Sequence, residues 1–195
     1  MSIYQGFKSE VRMKYLIASD IHGSAYYCKK FMDAIDYEKP DRILLLGDVL
    51  YHGPRNDLPK DYAPKKVIEM LNSLADKIYC VRGNCDSEVD QMVLNFSCLS
   101  DSLLLDVDGQ FVYCTHGHIY NEKNLPKLHK GDILLHGHTH VPCKIVHEDY
   151  VYLNPGSVSI PKENSPHSYM ILENKKFIWK KLSDFKEYMV YEKVH

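Results

Sequence analysis

The run Ile78-Tyr79-Cys80-Val81-Arg82-Gly83-Asn84-Cys85-Asp86 decides how this chain is read. Its first four residues are apolar or aromatic and read as a short buried strand. The strand runs into a glycine, and then into three side chains that bond hydrogen or metal rather than pack. Two upstream segments repeat the pattern. Tyr15-Leu16-Ile17-Ala18 is followed by Asp20 and His22, and Arg42-Ile43-Leu44-Leu45-Leu46 by Gly47-Asp48. Between these runs, apolar residues recur at helical spacing from Tyr26 to Ile35 and from Val67 to Leu74. Strand, loop and helix in alternation predict right-handed βαβ units and a parallel sheet. The polar stretch YHGPRNDLPKDYAP, residues 51–64, reads as an excursion over the surface.

The second half changes character. Short strand-like runs occur at Leu103-Leu105, Phe111-Tyr113, Ile133-Leu135, Lys144-Val146, Tyr150-Tyr152 and Tyr169-Leu172. Asp108-Gly109 and Glu148-Asp149 are turn sequences that join some of them into hairpins. The fold expected is one α/β domain, residues 13–195, of two packed mixed β-sheets flanked by helices. Residues 1–12 precede the first strand pattern and are expected to be an extension without functional role.

With 195 residues and 45% hydrophobic content the chain can bury a core of its own. Its net charge of -2 gives no general attraction for nucleic acid or anionic lipid. An anionic substrate must therefore be held by local charge. No apolar run has membrane-spanning or signal-peptide length. The six cysteines form no Cys-x-x-Cys pair and lie mostly in apolar runs, which predicts reduced thiols and a cytoplasmic setting.

Metal-binding residue types cluster where the strands stop. Asp20 and His22 follow the first strand, Asp48 the second and Asn84 the third. Phe111–Cys114 leads to His116 and His118, and Ile133–Leu135 to His136, His138 and His140 in HGHTH. Taken singly these are weak signals. An Asp-x-His arises by chance, and Gly-Asp and Gly-Asn are ordinary turns. HGHTH is stronger, since clustered histidines are costly to bury unless paired or ligated. The joint order decides, because sites in open α/β sheets form beyond the carboxyl ends of strands.

Those elements, Asp20-x-His22, Gly47-Asp48, Gly83-Asn84-Cys85-Asp86, His116 and Gly137-His138-Thr139-His140, resemble the calcineurin-like metallophosphoesterase superfamily. ASDIHGS, LGDVLYHGPRN, VRGNCDSEVDQM, THGH, HGHTHVP and NPGSVSIPK look like its small bacterial YfcE-like phosphodiesterase branch, from Met13 to about Leu182. The resemblance implies hydrolysis of a small phosphodiester by a metal-bridging hydroxide at a dinuclear site. Asp20, His22 and His140 would hold one divalent ion and Asn84, His116 and His138 the other, with Asp48 bridging. Manganese is the first expectation, with zinc, iron and nickel as alternatives; carboxylate, amide and imidazole donors suit such ions. Asp48 and Asn84 are also expected to be catalytically essential.

Around this set the expectations are graded by chemistry. His118 either contacts the substrate phosphate, orients a ligand, or lies solvated. His136 is expected to point away, and His52, His129, His147, His167 and His195 to lie at the surface. Asp86 is expected to cap the following helix. Asn154-Pro155-Gly156-Ser157 resembles the family's loop beside the site, or is a tight turn, and no chemistry is assigned to it. Arg55, in the excursion after Asp48, is placed either over the site, where it could grip a phosphate oxygen, or against another subunit of a homo-oligomer. Cys85 stands where many relatives have a histidine thought to protonate the leaving group. A thiol there is either a weak catalytic group or a small filler, so good, phenol-like leaving groups are expected to be preferred. The contrary reading is a non-catalytic protein-binding scaffold on the same fold, like the retromer subunit. The intact Asp48 and Asn84 speak against it.

Overall fold

The computed structural model describes residues 13–192. The proposed extension at residues 1–12, and His195, lie outside the described residues. Three parallel strands open the fold: β1 (Tyr15–Ala18), β2 (Arg42–Leu45) and β3 (Ile78–Cys80). Helix α1 (Ala25–Glu38) joins the first two, and α2 (Pro64–Asn72) and a 3-10 turn join the second to the third. The short helix α3 (Glu88–Gln91) follows β3. Then come β4 (Ser102–Val107), β5 (Gln110–Thr115), β6 (Asp132–His136), β7 (Cys143–Val146) and β8 (Tyr150–Asn154). Three more strands end the described chain: β9 (Ser168–Glu173), β10 (Lys176–Lys181) and β11 (Glu187–Glu192).

These strands form two mixed sheets. One has the order β11-β10-β9-β1-β2-β3 and the other β4-β5-β6-β8-β7. Side-chain alternation along a strand explains the layering. In β1, Leu16 and Ala18 face α1 and α2 while Ile17 faces the second sheet. In and just after β2, Ile43 and Leu45 face the helices while Leu44 and Leu46 face the second sheet. Two apolar layers result. Phe31, Ala34, Val67 and Leu71 fill the helix side. Val112, Cys114, Ile133, Leu135, Val151, Leu153, Phe177 and Trp179 fill the layer between the sheets. At about 25 cal/mol per Å² of apolar surface removed from water, these layers dominate the favourable side of folding.

The expected two-sheet architecture is present, with a correction at its end. The strand list above stopped at Leu172, whereas β10 and β11 extend the first sheet by two antiparallel strands. In β10, Phe177 and Trp179 point inward from between lysines, so the apolar face is only two residues long. Both long helices pack on the first sheet. β1, β2, β3, β5 and β6 all send their carboxyl ends toward the loops described next.

Candidate metal centre

Gly47 and Gly83 let two of these loops touch. Gly47 has φ +89, and a Cβ there would lie 2.5 Å from the Gly83 nitrogen and 3.0 Å from His116 Nδ1. A Cβ on Gly83 would fall on the Asp48 backbone and carboxylate. Only residues without side chains permit this approach, and it brings the loops after β2 and β3 together.

Asp86 locks the two loops. It is buried, and its Oδ2 accepts from the N–H groups of Asp48 (2.8 Å) and Gly83 (2.7 Å). Its Oδ1 accepts from Val49 N–H at 2.9 Å. The helix-cap expectation is therefore corrected. Ser87 occupies the N-cap position of α3, and the Asp86 carboxylate faces the other way, into the loops. Burial pushes the Asp86 pKa up, and the Val49 amide opposes it.

The loops gather the predicted donors into two groups that share one face. Asp20, His22 and His140 have donor atoms mutually within 4.8 Å, as do Asp48, His116 and His138. Asp48 sits between them. Its Oδ2 lies 3.6 Å from His22 Nε2 and 3.4 Å from His116 Nε2. Asn84 Oδ1 lies 3.1 Å from His116 Nε2. A third group, His22, Asp48 and Cys85, meets the same distance limit, so the thiol reaches the centre.

Hydrogen bonds fix which ring nitrogen each histidine offers. His22 Nδ1 lies 2.8 Å from the Tyr51 carbonyl, His140 Nδ1 2.8 Å from that of Ile160, and His116 Nδ1 2.6 Å from that of Leu46. A carbonyl only accepts, so each Nδ1 carries a proton, and in its neutral form each of these rings turns a bare Nε2 inward. His22 Nε2 and His140 Nε2 then face each other at 3.4 Å. His116 Nε2 faces His138 Nδ1 at 3.1 Å. The buried Asp20 Oδ1 has no hydrogen-bond partner. Ring nitrogens facing each other beside buried carboxylates suit a cation between them, and this donor set fits divalent metals.

The charge balance agrees. Burial would raise the Asp20 pKa, but His140 and His22 hold it well below the carboxylate range. Asp48 is likewise lowered against burial, chiefly by His116. Burial alone would lower His116, yet Asp48 and Asp20 raise it to about 9. Burial and the neighbouring His116 lower His138 to about 4. Without metal the carboxylates demand a positive charge here, and only some of the rings can supply it.

The remaining predicted residues fall in several places. The His118 ring is 5.4 Å from His116 and 6.3 Å from His138, half-buried, with Nδ1 unpartnered. His136 lies outside both groups, stacked on Tyr152 at 4.3 Å. Arg55 borders a cleft of about 300 Å³ over Asp48, Asn84, His138 and His140. His129 is exposed, as expected. His52 and His167 are corrections to the surface expectation: His52 is wedged between Tyr51 and Tyr62, and His167 stacks on Tyr27 at 3.9 Å. His147 is partly buried against Tyr150 and pairs with Glu122.

The NPGS turn is more than a turn. Ser157 Oγ and Ser159 Oγ both donate to the Asp20 carbonyl, at 2.9 and 3.1 Å. Asn154 Nδ2 donates to the Gly137 carbonyl at 2.9 Å, holding the HGHTH turn. Sequence reasoning missed these roles, and that of Lys162 in the same cleft wall as Arg55.

Residues 13–176 match the calcineurin-like phosphoesterase superfamily domain. The chain belongs to that superfamily. It is 46% identical over 162 residues to phosphodiesterase YfcE of Escherichia coli strain K12, covering 83% of this chain and 88% of that protein. The solved structure of YfcE, a phosphoesterase from E. coli, matches with a TM-score of 0.88 at 43% identity, over 92% of this chain and 98% of that one. The zinc complex of Vps29 from Entamoeba histolytica matches with a TM-score of 0.61 at 19% identity, over 92% of this chain and 98% of that one. This last likeness shows a common fold alone. No helix among the described residues is long and apolar enough to cross a membrane.

Proposed function

We propose that this metallophosphoesterase is a phosphodiesterase that hydrolyses a small phosphodiester with two divalent cations. Manganese is the first expectation, with zinc, iron and nickel as alternatives. The facing ring nitrogens of His22/His140 and His116/His138, with Asp48 between the pairs, carry this reading. The 46% identity to phosphodiesterase YfcE supports the reaction class.

In this reading Asp20, His22 and His140 would hold one ion, Asn84, His116 and His138 the other, and Asp48 would serve both. Such ions, when bound, would polarise phosphoryl oxygens and lower the pKa of water. The chain's own groups set the conditions. Only Asp20 and Asp48 add negative charge, since Asn84 contributes an amide oxygen. The centre thus keeps a positive surplus for an anionic phosphate. The carbonyls of Tyr51, Leu46 and Ile160 hold the imidazoles in one tautomer and orientation. His118, beside His116 and His138, is placed to steady the phosphate. Cys85 stands next to Asn84 with its thiol pKa raised by burial and by Asp48. It keeps its proton and is a weak acid, so a leaving alkoxide gets little help and phenol-like leaving groups are favoured.

All six cysteines are free thiols, which fits a cytoplasmic setting. A non-catalytic scaffold on the same fold is the other reading, and the complete donor set weighs against it. The test is metal stripping followed by addition of Mn²⁺, Zn²⁺, Fe²⁺, Mg²⁺ and Ni²⁺ in turn against phosphate mono- and diesters. Diester hydrolysis that returns with two ions per chain is expected. Activity that survives stripping, or saturates at one ion per chain, refutes the dinuclear reading.

A further inference from the structure

The cleft over the centre has two cations in its wall, Arg55 and Lys162. Both are exposed, and neither has an ion-pair partner among the described residues. In a chain of net charge -2, two unpaired cations at one cleft make a local positive patch.

Their positions are tied to the centre. Arg55 follows Tyr51, whose carbonyl holds His22, and Asn56 Nδ2 donates to the His52 carbonyl at 2.8 Å. Lys162 N–H donates to the His140 carbonyl at 3.1 Å, two residues after Ile160, whose carbonyl holds the His140 ring. Two separate loops, each bonded to a histidine of the Asp20 group, thus bring a cation to the same cleft. The rest of the wall is Asn56 and the donor residues, with no apolar side chain in it. It offers no apolar surface on which an acyl chain could pack.

A phosphodiester has one negative charge. In the dinuclear reading two divalent ions, less Asp20, Asp48 and a bridging hydroxide, leave one positive charge, which balances the diester, so Arg55 and Lys162 are not needed to neutralise the scissile group. We infer that Arg55 and Lys162 form a clamp for a second anionic group, and that the substrate is a phosphodiester whose other ester arm bears a phosphate. The inference rests on the phosphodiesterase reading and goes beyond it in naming the substrate class. Each cation, being exposed and partly screened, is expected to contribute about threefold to tenfold in recognition.

The test uses the Mn²⁺-loaded protein and three 4-nitrophenyl phosphodiesters that share a leaving group and differ in the second alcohol: 2-phosphoethyl, ethyl and choline. Wild type is expected to rank them in that order by kcat/KM, mainly through KM. In Arg55→Ala/Lys162→Ala the ratio of the first ester to the third should fall at least tenfold. In Arg55→Glu/Lys162→Glu the choline ester should rank first, an inversion that lost packing would not produce. A charge-reversed protein with the wild-type unfolding midpoint and a ratio within twofold of wild type overturns the clamp while leaving the phosphodiesterase intact. No hydrolysis of any of the three by wild type removes the phosphodiesterase reading, and the clamp with it.

Discussion

Replacing Asp86 separates two roles that the sequence alone cannot tell apart. A helix cap loses almost nothing on Asp→Asn, because asparagine caps as well as aspartate. A carboxylate that accepts three N–H groups behaves differently. In Asp86→Asn the amide oxygen can keep the bonds from Asp48 and Gly83, now both at Oδ2. The amide NH₂ then points at Val49 N–H, donor against donor. One charge-assisted bond of about 1.5–3 kcal/mol is lost, and the two others weaken as the charge goes. The expected loss is about 2–4 kcal/mol. Asp86→Ala leaves all three amides unpaired and should lose about 3–6 kcal/mol, a large share of the 5–15 kcal/mol that holds a typical domain. Urea unfolding of the metal-stripped proteins, followed by circular dichroism, gives both numbers. The loops clasped by Asp86 include Asp48, so metal affinity should fall in the same variants. A loss under about 1 kcal/mol in Asp86→Asn would show that the clasp is weak and that the residue acts as a cap after all.

Three further outcomes follow from the centre. Asp48→Asn should lower diester turnover by at least about a hundredfold and bring metal content below two ions per chain, with the fold intact by circular dichroism; wild-type turnover would remove Asp48 as the bridge. In the metal-stripped protein the His116 pKa lies above its ordinary 6.5, at about 9, so its protonated form is stabilised by folding. That contribution, about 3 kcal/mol, is whole below pH 6.5 and lost as pH rises through about 9. Thermal unfolding should therefore show the stripped protein losing stability between pH 6.5 and 9 while the metal-loaded protein stays nearly flat; parallel profiles would contradict this. Cys85→Ala should change turnover of an aryl diester by less than about threefold. Cys85→His should speed an alkyl diester by at least about tenfold relative to the aryl one; a Cys85→Ala protein that is folded and metal-loaded but inactive would make the thiol a catalytic group.

The fold was legible where physical period and chain order coincided. β1 and β2 announce themselves as apolar runs, because both faces of each strand are buried, one under α1 and α2 and the other under the second sheet. The donors were legible because each follows such a run. What stayed hidden depends on partners distant in sequence. Lys176–Lys181 reads as a charged segment until Phe177 and Trp179 are seen to enter a layer built by β1, β5 and β6. Asp86 and Ser157 have the composition of turn residues, and their bonds to Val49 and Asp20 cross 37 and 137 positions of chain. His167 looked solvated because nothing beside it in sequence announces Tyr27, on which it stacks. Lys162 became visible only once the loop bearing it was found bonded to His140.

Backbone conformation is the part of the site that residue types conceal most fully, and it explains why so many buttresses are needed. Asp20, His22, Asp48, His138 and His140 all have positive φ, between +49 and +65. For residues with a Cβ this region costs about 1–2 kcal/mol each. Glycine would remove that cost, but it carries no ligand. The positive φ values turn the chain at the ends of β1, β2 and β6. Had those strands continued extended, successive side chains would have alternated between the two apolar layers, as Leu16 and Ile17 do. Turning at these points brings the donors together beyond the sheet ends, and the strain is opposed by bonds between loops. Asp20 N–H reaches the Gly47 carbonyl at 3.1 Å, and His22 N–H reaches that of Asp48 at 2.9 Å. The serines of the NPGS segment hold the Asp20 carbonyl, and Asp86 holds the Asp48 amide. At roughly 0.5–1.5 kcal/mol net for each ordinary hydrogen bond, several are required to offset five strained residues. The residues that touch no metal in the dinuclear reading are thus as necessary to the centre's geometry as the donors they hold in place.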